Sequence, residues 1–229
     1  MSTSQPNLAF LFDVDNTLLD NDRVIADLRN HLEQEVGAER TKCYWALFEQ
    51  LRTELGYADY LGALQRYRGE YPHDPSILTV SHFLLNYPFA DRLFSGALDV
   101  IEHVRQWGPV ALLTDGDVVF QPWKVERSGL FDAVDGQVFI YLHKEQELAD
   151  VAERCPAEHY VLVEDKLRLL TAIKKIWDQR VTTVFVRQGH YALDPKNLAD
   201  YPAADISLDR IGDLLQVDLA QLLKLGDRN

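Results

Sequence analysis

Apolar residues along the chain follow two rhythms, and the change between them falls near residue 95. Leu8-Ala-Phe-Leu-Phe12 is an unbroken apolar run ending in Asp13, which predicts a buried strand. From about Asp22 to Phe94 no comparable run occurs. Val24, Leu28, Leu32 and Val36 recur at helical spacing, and Trp45, Phe48 and Leu51 continue that spacing in a second segment. Two further helices are predicted over Tyr57 to Tyr67 and Ile77 to Asn86, separated by the breaker-rich stretch from Tyr71 to Pro75. Together these make a helical insert of about 70 residues, the size of a small subdomain.

After Gly96 short apolar runs alternate with helical segments. Helices are predicted over Ala97 to Trp107, Val118 to Ser128, Glu145 to Arg154, Lys166 to Trp177 and Ile211 to Leu223. Strands are predicted over Pro109 to Thr114, Val138 to Leu142, His159 to Val163 and Val181 to Val186. Such alternation specifies an α/β fold, a doubly wound and mainly parallel Rossmann-like sheet with helices on both faces. The sheet core takes residues 1–20 and 95–229, and the α-helical insert takes 21–94. No internal repeat or low-complexity tract interrupts this plan.

Composition narrows the partners. Of the 229 residues 47% are hydrophobic, which suffices for a full core. No apolar stretch is long enough to cross a bilayer, and Met1 to Asn7 lacks the features of a signal peptide, so a cytoplasmic protein without membrane contact is expected. Cys43 and Cys155 are too few for a disulfide framework. The net charge of −13 argues against nucleic acid, whose phosphates need lysine and arginine partners. It also means that a site for any anionic substrate must be made locally positive.

The strand ends supply the means. The first strand leads into Asp13-Val-Asp15-Asn-Thr17, and the second ends in Thr114-Asp115-Gly-Asp117. The third is followed by His143-Lys144 and the fourth by Glu164-Asp165-Lys166. In a doubly wound sheet these ends lie on one edge, where ligands bind. Loop polarity alone is unremarkable; this set contains each component that phosphoryl transfer requires.

These residues resemble the four motifs of the haloacid dehalogenase-like superfamily. Asp13-Val-Asp15-Asn-Thr17 is similar to its Asp-x-Asp-x-Thr motif, Thr114 to its strand-end hydroxyl, Lys144 to its lysine and Glu164-Asp165 to its acidic pair. The order fits a member with a helical cap inserted after the first motif. The resemblance implies a magnesium-dependent phosphohydrolase acting on a small phosphate ester through an aspartyl-phosphate. Asp13 would be the nucleophile and Asp15 the general acid and then base. The first of those roles calls for surroundings that favour a protonated Asp15. Thr114, the Asp115 amide and Lys144 would bind the phosphoryl group. The Asp13 and Asp165 carboxylates and the Asp15 carbonyl would hold Mg2+, with Glu164 on a metal-bound water.

Several readings stay open at this stage. Lys166 rivals Lys144 for the catalytic charge, and Glu164 and Asp165 would also suit the start of the following helix. Asp115 stands where the family often has Asn, Lys166 where a small polar residue is common, and Leu169 where some branches have Asp. A phosphomutase, a phosphonate hydrolase using Lys42, or a catalytically silent binding relative would share the scaffold. The insert aromatics Tyr44, Trp45, Phe48, Tyr57, Tyr60 and Tyr67 read as core and subdomain interface. His73, His82, His143 and His190 read as loop or packing residues, and Arg187 to Tyr191 as a segment that could border the site. Oligomeric state is not legible.

Overall fold

A computed structural model describes residues 7–219. Six strands, β1 (Leu8–Phe12), β2 (Val110–Asp115), β3 (Val138–Tyr141), β4 (His159–Glu164), β5 (Val181–Val186) and β6 (Ile206–Leu208), form one sheet in the order β3-β2-β1-β4-β5-β6. Every neighbouring pair is parallel. The chain thus has the doubly wound α/β fold that its alternation specifies. β6 is too short, at three residues, to register as an apolar run.

Burial on both faces explains the uninterrupted apolar strands. Leu8, Phe10 and Phe12 of β1 face one core layer, and Ala9 and Leu11 face the other. The first layer continues past the sheet through Leu18, Leu19, Phe89 and Phe120 to Leu28, Tyr44, Phe48 and Tyr67 of the helical insert. The second is closed by α7 (Leu148–Arg154) and α8 (Leu167–Trp177), through Leu148, Val151, Leu170 and Ile173.

The insert comprises α1 (Asn21–Leu55), α2 (Tyr60–Glu70), α3 (Ser76–Asn86) and a 3-10 turn at Phe89–Arg92. Its two connections to the sheet run side by side, with the Asp20 N–H donating to the Arg92 carbonyl at 2.8 Å and the Phe94 N–H to the Leu18 carbonyl at 2.9 Å. α1 is not one rod: Gly37 has φ 78° and ψ 166°, a conformation closed to most side chains. A straight helix would hold Asp22 and Arg52 about 45 Å apart. Instead they bond to adjacent residues, Asp22 to His190 at 2.6 Å and Arg52 to Tyr191 at 3.0 Å. The chain therefore doubles back at Gly37 into two arms, which is the division that Val36 and Trp45 mark in the sequence.

Other boundaries move by a few residues. The segment ahead of α7 is a 3-10 turn at Lys144–Gln146 rather than helix. Of the closing helix expected over Ile211 to Leu223, Ile211–Gln216 is a 3-10 helix, and residues 220–223 of that expectation lie outside the described residues. Further short helices are α4 (Ala97–Val104), α5 (Phe120–Arg127), α6 (Leu130–Ala133), α9 (Gly189–Leu193) and α10 (Pro195–Asp200).

Candidate active site

β1 lies between β2 and β4, where the strand order changes direction, and Asp13 is the first residue beyond its carboxyl end. The Asp13 N–H continues the sheet by donating to the Val163 carbonyl at 2.9 Å. Its carboxylate is 2% exposed and receives Lys144 Nζ at 2.6 Å and Thr17 Oγ1 at 3.1 Å. Lys144 Nζ also lies 2.5 Å from Glu164 Oε2 and donates to the Leu113 carbonyl at 3.0 Å. One buried ammonium thus bridges the ends of β1 and β4. The Asp115 carboxylate holds the lysine's own backbone, accepting the Lys144 N–H at 2.7 Å.

Burial and charge divide the four carboxylates. Burial, reinforced by Glu164, pushes Asp13 up to about 6. Asp165 is driven well above the usual carboxylate range by burial, with Glu164 adding to it. Burial also raises Asp115. For Glu164 burial is outweighed by Lys144 and Lys166, which hold it below the ordinary value. Lys144 and Lys166 are likewise desolvated, but the surrounding carboxylates keep both firmly protonated.

Oxygens of Asp13, Glu164 and Asp165 lie within 4.8 Å of one another. Both Asp165 carboxylate oxygens are buried without a hydrogen-bond partner among the described residues. Such oxygens are costly unless a ligand takes them up, and an all-oxygen set suits a hard divalent cation. The residues present therefore fit a magnesium ion.

Asp15 is placed differently. Its side chain is 24% exposed and borders a cavity of about 710 Å3 between the sheet edge and the two arms of α1. Lys124 of α5 donates to both carboxylate oxygens, at 2.6 and 2.8 Å. Gln121, one turn earlier, donates to Thr114 Oγ1 at 2.9 Å. Neither residue stands out in the sequence; the only sign is a lysine on the apolar face of a short helix, beside Phe120 and Val125.

The structure thus brings Asp13, Thr114, Asp115, Lys144, Glu164 and Asp165 to one edge with Asp15 beside them. Lys166 borders the cavity with its ammonium over the Tyr191 ring, whereas Lys144 touches Asp13. Tyr44 and Tyr67 are core residues, but Trp45, Phe48, Tyr57 and Tyr60 also line the cavity, beyond the interface role read for them. The segment after β5 borders the site directly: His190 and Tyr191 line the cavity, their rings lie against each other, and His190 Nδ1 is hydrogen-bonded to the Asp22 carboxylate at 2.6 Å.

The family model described as haloacid dehalogenase-like hydrolase matches residues 8–176. A crystal structure from Burkholderia xenovorans LB400, of a protein described as a haloacid dehalogenase-like hydrolase, is 59% identical over 93% of this chain and 99% of that one, with a TM-score of 0.89. A hydrolase of the same description from Xanthomonas campestris is 20% identical, covers 98% and 100%, and has a TM-score of 0.65. L-2-haloacid dehalogenase from Xanthobacter autotrophicus is 18% identical, covers 91% and 96%, and has a TM-score of 0.59. No curated protein matches. With its parallel sheet, its strand-end motifs and a family match over most of its length, the chain belongs to the haloacid dehalogenase-like hydrolases.

Proposed function

We propose that the protein is a phosphomonoester hydrolase that works on small phosphate esters with a magnesium ion. The observation that carries this reading is the second carboxylate of the β1 loop, Asp15, which borders the cavity two residues beyond the buried nucleophile. A halide leaves carbon without needing a proton, whereas an alkoxide leaving phosphorus does need one. Asp13 attacks phosphorus and forms an aspartyl-phosphate as the ester P–O bond breaks, and Asp15 delivers a proton to the departing oxygen. In the second half Asp15 takes a proton from the water that attacks the aspartyl-phosphate, and phosphate and free Asp13 are released.

Lys144 offsets the charge of Asp13, which otherwise repels an incoming phosphate. Thr114 and the Asp115 amide sit at the neighbouring strand end to receive phosphoryl oxygens. Magnesium would be held by the Asp13 and Asp165 carboxylates and the Asp15 carbonyl, and would neutralise phosphoryl charge. Glu164 is already engaged by Lys144, so its support of the ion is indirect.

The helical insert closes over the site as a cap, and the cavity admits a leaving group of sugar or nucleoside size. A phosphonate hydrolase would need a lysine of the insert facing that cavity. Lys42 is exposed, pairs with Glu39 at 3.2 Å and is not among the residues lining the cavity. No helix among the described residues is long and apolar enough to cross a membrane.

Phosphate release from a panel of small esters, with magnesium, with chelator and with Asp13→Asn, tests the proposal. Selective release that needs magnesium and disappears in a folded Asp13→Asn variant is the expected result. Release that persists in excess chelator would remove the metal assignment. Isomerised sugar phosphate without free phosphate would make the protein a mutase.

A further inference from the structure

Lys124 is 1% exposed and belongs to none of the strand ends that carry the recognised motifs. Its side chain enters the site from α5, whose inward face is Phe120, Gln121, Lys124 and Val125. All three protons of its ammonium have acceptors: the two carboxylate oxygens of Asp15 and, at 3.2 Å, Oδ1 of Asn21. A lysine whose donors are all used fixes both partners, whereas a flexible surface lysine fixes neither. Asn21 is the first residue of α1, and its amide donates to the Tyr60 hydroxyl of α2 at 3.3 Å. The Tyr60 ring packs against Phe120 at 5.3 Å between centroids, on the same turn of α5. One ammonium therefore joins the proton-transfer carboxylate of the sheet to the root of the helical insert.

We propose that Lys124 is a positioning residue that aims the Asp15 carboxylate, and that Asn21 makes this aim depend on docking of the insert. With the insert docked, Asn21 Oδ1 accepts one hydrogen bond from the Lys124 ammonium, and the other two hold the Asp15 carboxylate in one orientation. With the insert lifted, Asn21 departs and the ammonium is free to turn. The acid–base group is then in register only when the cavity is covered and water is excluded.

The proposal rests on Asp15 acting in proton transfer, so the test compares esters that differ in their need for it. p-Nitrophenyl phosphate expels a stable anion, while butyl phosphate expels an alkoxide that must be protonated. In Lys124→Met, kcat/KM for butyl phosphate should fall about a hundredfold more than for p-nitrophenyl phosphate, mostly in kcat. Asn21→Ala should show the same inequality to a smaller degree, and Lys124→Arg should recover part of it. Equal losses on both esters, tracking a lower melting temperature, would reduce Lys124 to a structural ion pair and overturn the proposal. Should Lys124→Met not fold, Asn21→Ala and Lys124→Arg carry the same comparison. If wild-type protein releases phosphate from neither of these esters nor from any ester of the panel, the phosphatase reading fails separately, and amide exchange over residues 15–25 decides the positioning role. Faster exchange confined to that segment in Lys124→Arg and Asn21→Ala, with the melting temperature unchanged, supports it; unchanged exchange, or faster exchange throughout with a lower melting temperature, refutes it.

Discussion

At the scale of residues, Asp13 and Asp165 sit in a state that a metal-free protein disfavours. Asp13 titrates at about 6 in the folded chain, against 3.8 for a free aspartate, because burial opposes its charge. A proton on it therefore stabilises the fold, and that contribution is lost as pH rises through about 6. Asp165 acts in the same sense. Glu164, held low, acts in the opposite sense and at lower pH. A divalent cation bound by these carboxylates would take the proton's place, and at acid pH it would first have to displace that proton. Millimolar magnesium should raise the melting temperature more at about pH 7.5 than at about pH 5. Calorimetric scans at both pH values check this; Asp165→Asn should abolish the difference, and an equal gain at both would contradict the site.

The motif residues were legible because strand-end chemistry is local: each lies within a few residues of an apolar run. Lys124 was not, because its meaning depends on a partner more than a hundred positions away. A still longer separation hid the bond between Asp22 and His190. The side-chain partners of Asp15 were hidden in the same way: Lys124 and Gln121 both come from α5, and nothing in its own motif announces them.

Among elements, long strands and periodic helices followed the pattern closely, and short pieces did not. β6 depends on pairing beside β5 rather than on its own three residues. The turn at Lys144–Gln146 is shaped by the Asp115 carboxylate and by the need to turn Lys144 inward. Gly56 ends α1 in the left-handed region at φ 82°, and a Cβ added there would meet the His143 ring at 2.5 Å. Glycine is needed twice, for its backbone and for its missing side chain. Gly56→Ala should cost about 1–2 kcal/mol from the backbone alone. It should also lower kcat/KM, because His143 immediately precedes Lys144. Urea melts and steady-state rates check both effects; an unchanged melt would contradict the left-handed end of α1, and an unchanged rate would mean that α1 does not close on His143.

Across the whole molecule, the insert is docked onto the sheet edge by contacts gathered around α9. Gly189 runs so close to Asn16 that an added Cβ would come within 2.5 Å of its side chain. His190 grips the first arm of α1 through Asp22, and Tyr191 the second through Arg52. Removing the Tyr191 hydroxyl deletes one of these grips and leaves the ring in place. Tyr191→Phe should raise KM about fivefold, the equivalent of about 1 kcal/mol, and should speed amide exchange over residues 45–55 while the sheet is unaffected. Exchange that quickens everywhere would signal global destabilisation instead.

The doubling back of α1 has one more consequence. Both arms are staked at their base on adjacent residues, while Gly37 stands exposed at the far end with no atom near its Cβ position. The arm from Asn21 to Gly37 is about 24 Å long, so it works as a pointer: a few degrees of rotation at the base become a displacement of ångströms at the tip. A dye attached beside Gly37 would report the opening of the site at a distance, without occupying the cavity whose opening it measures.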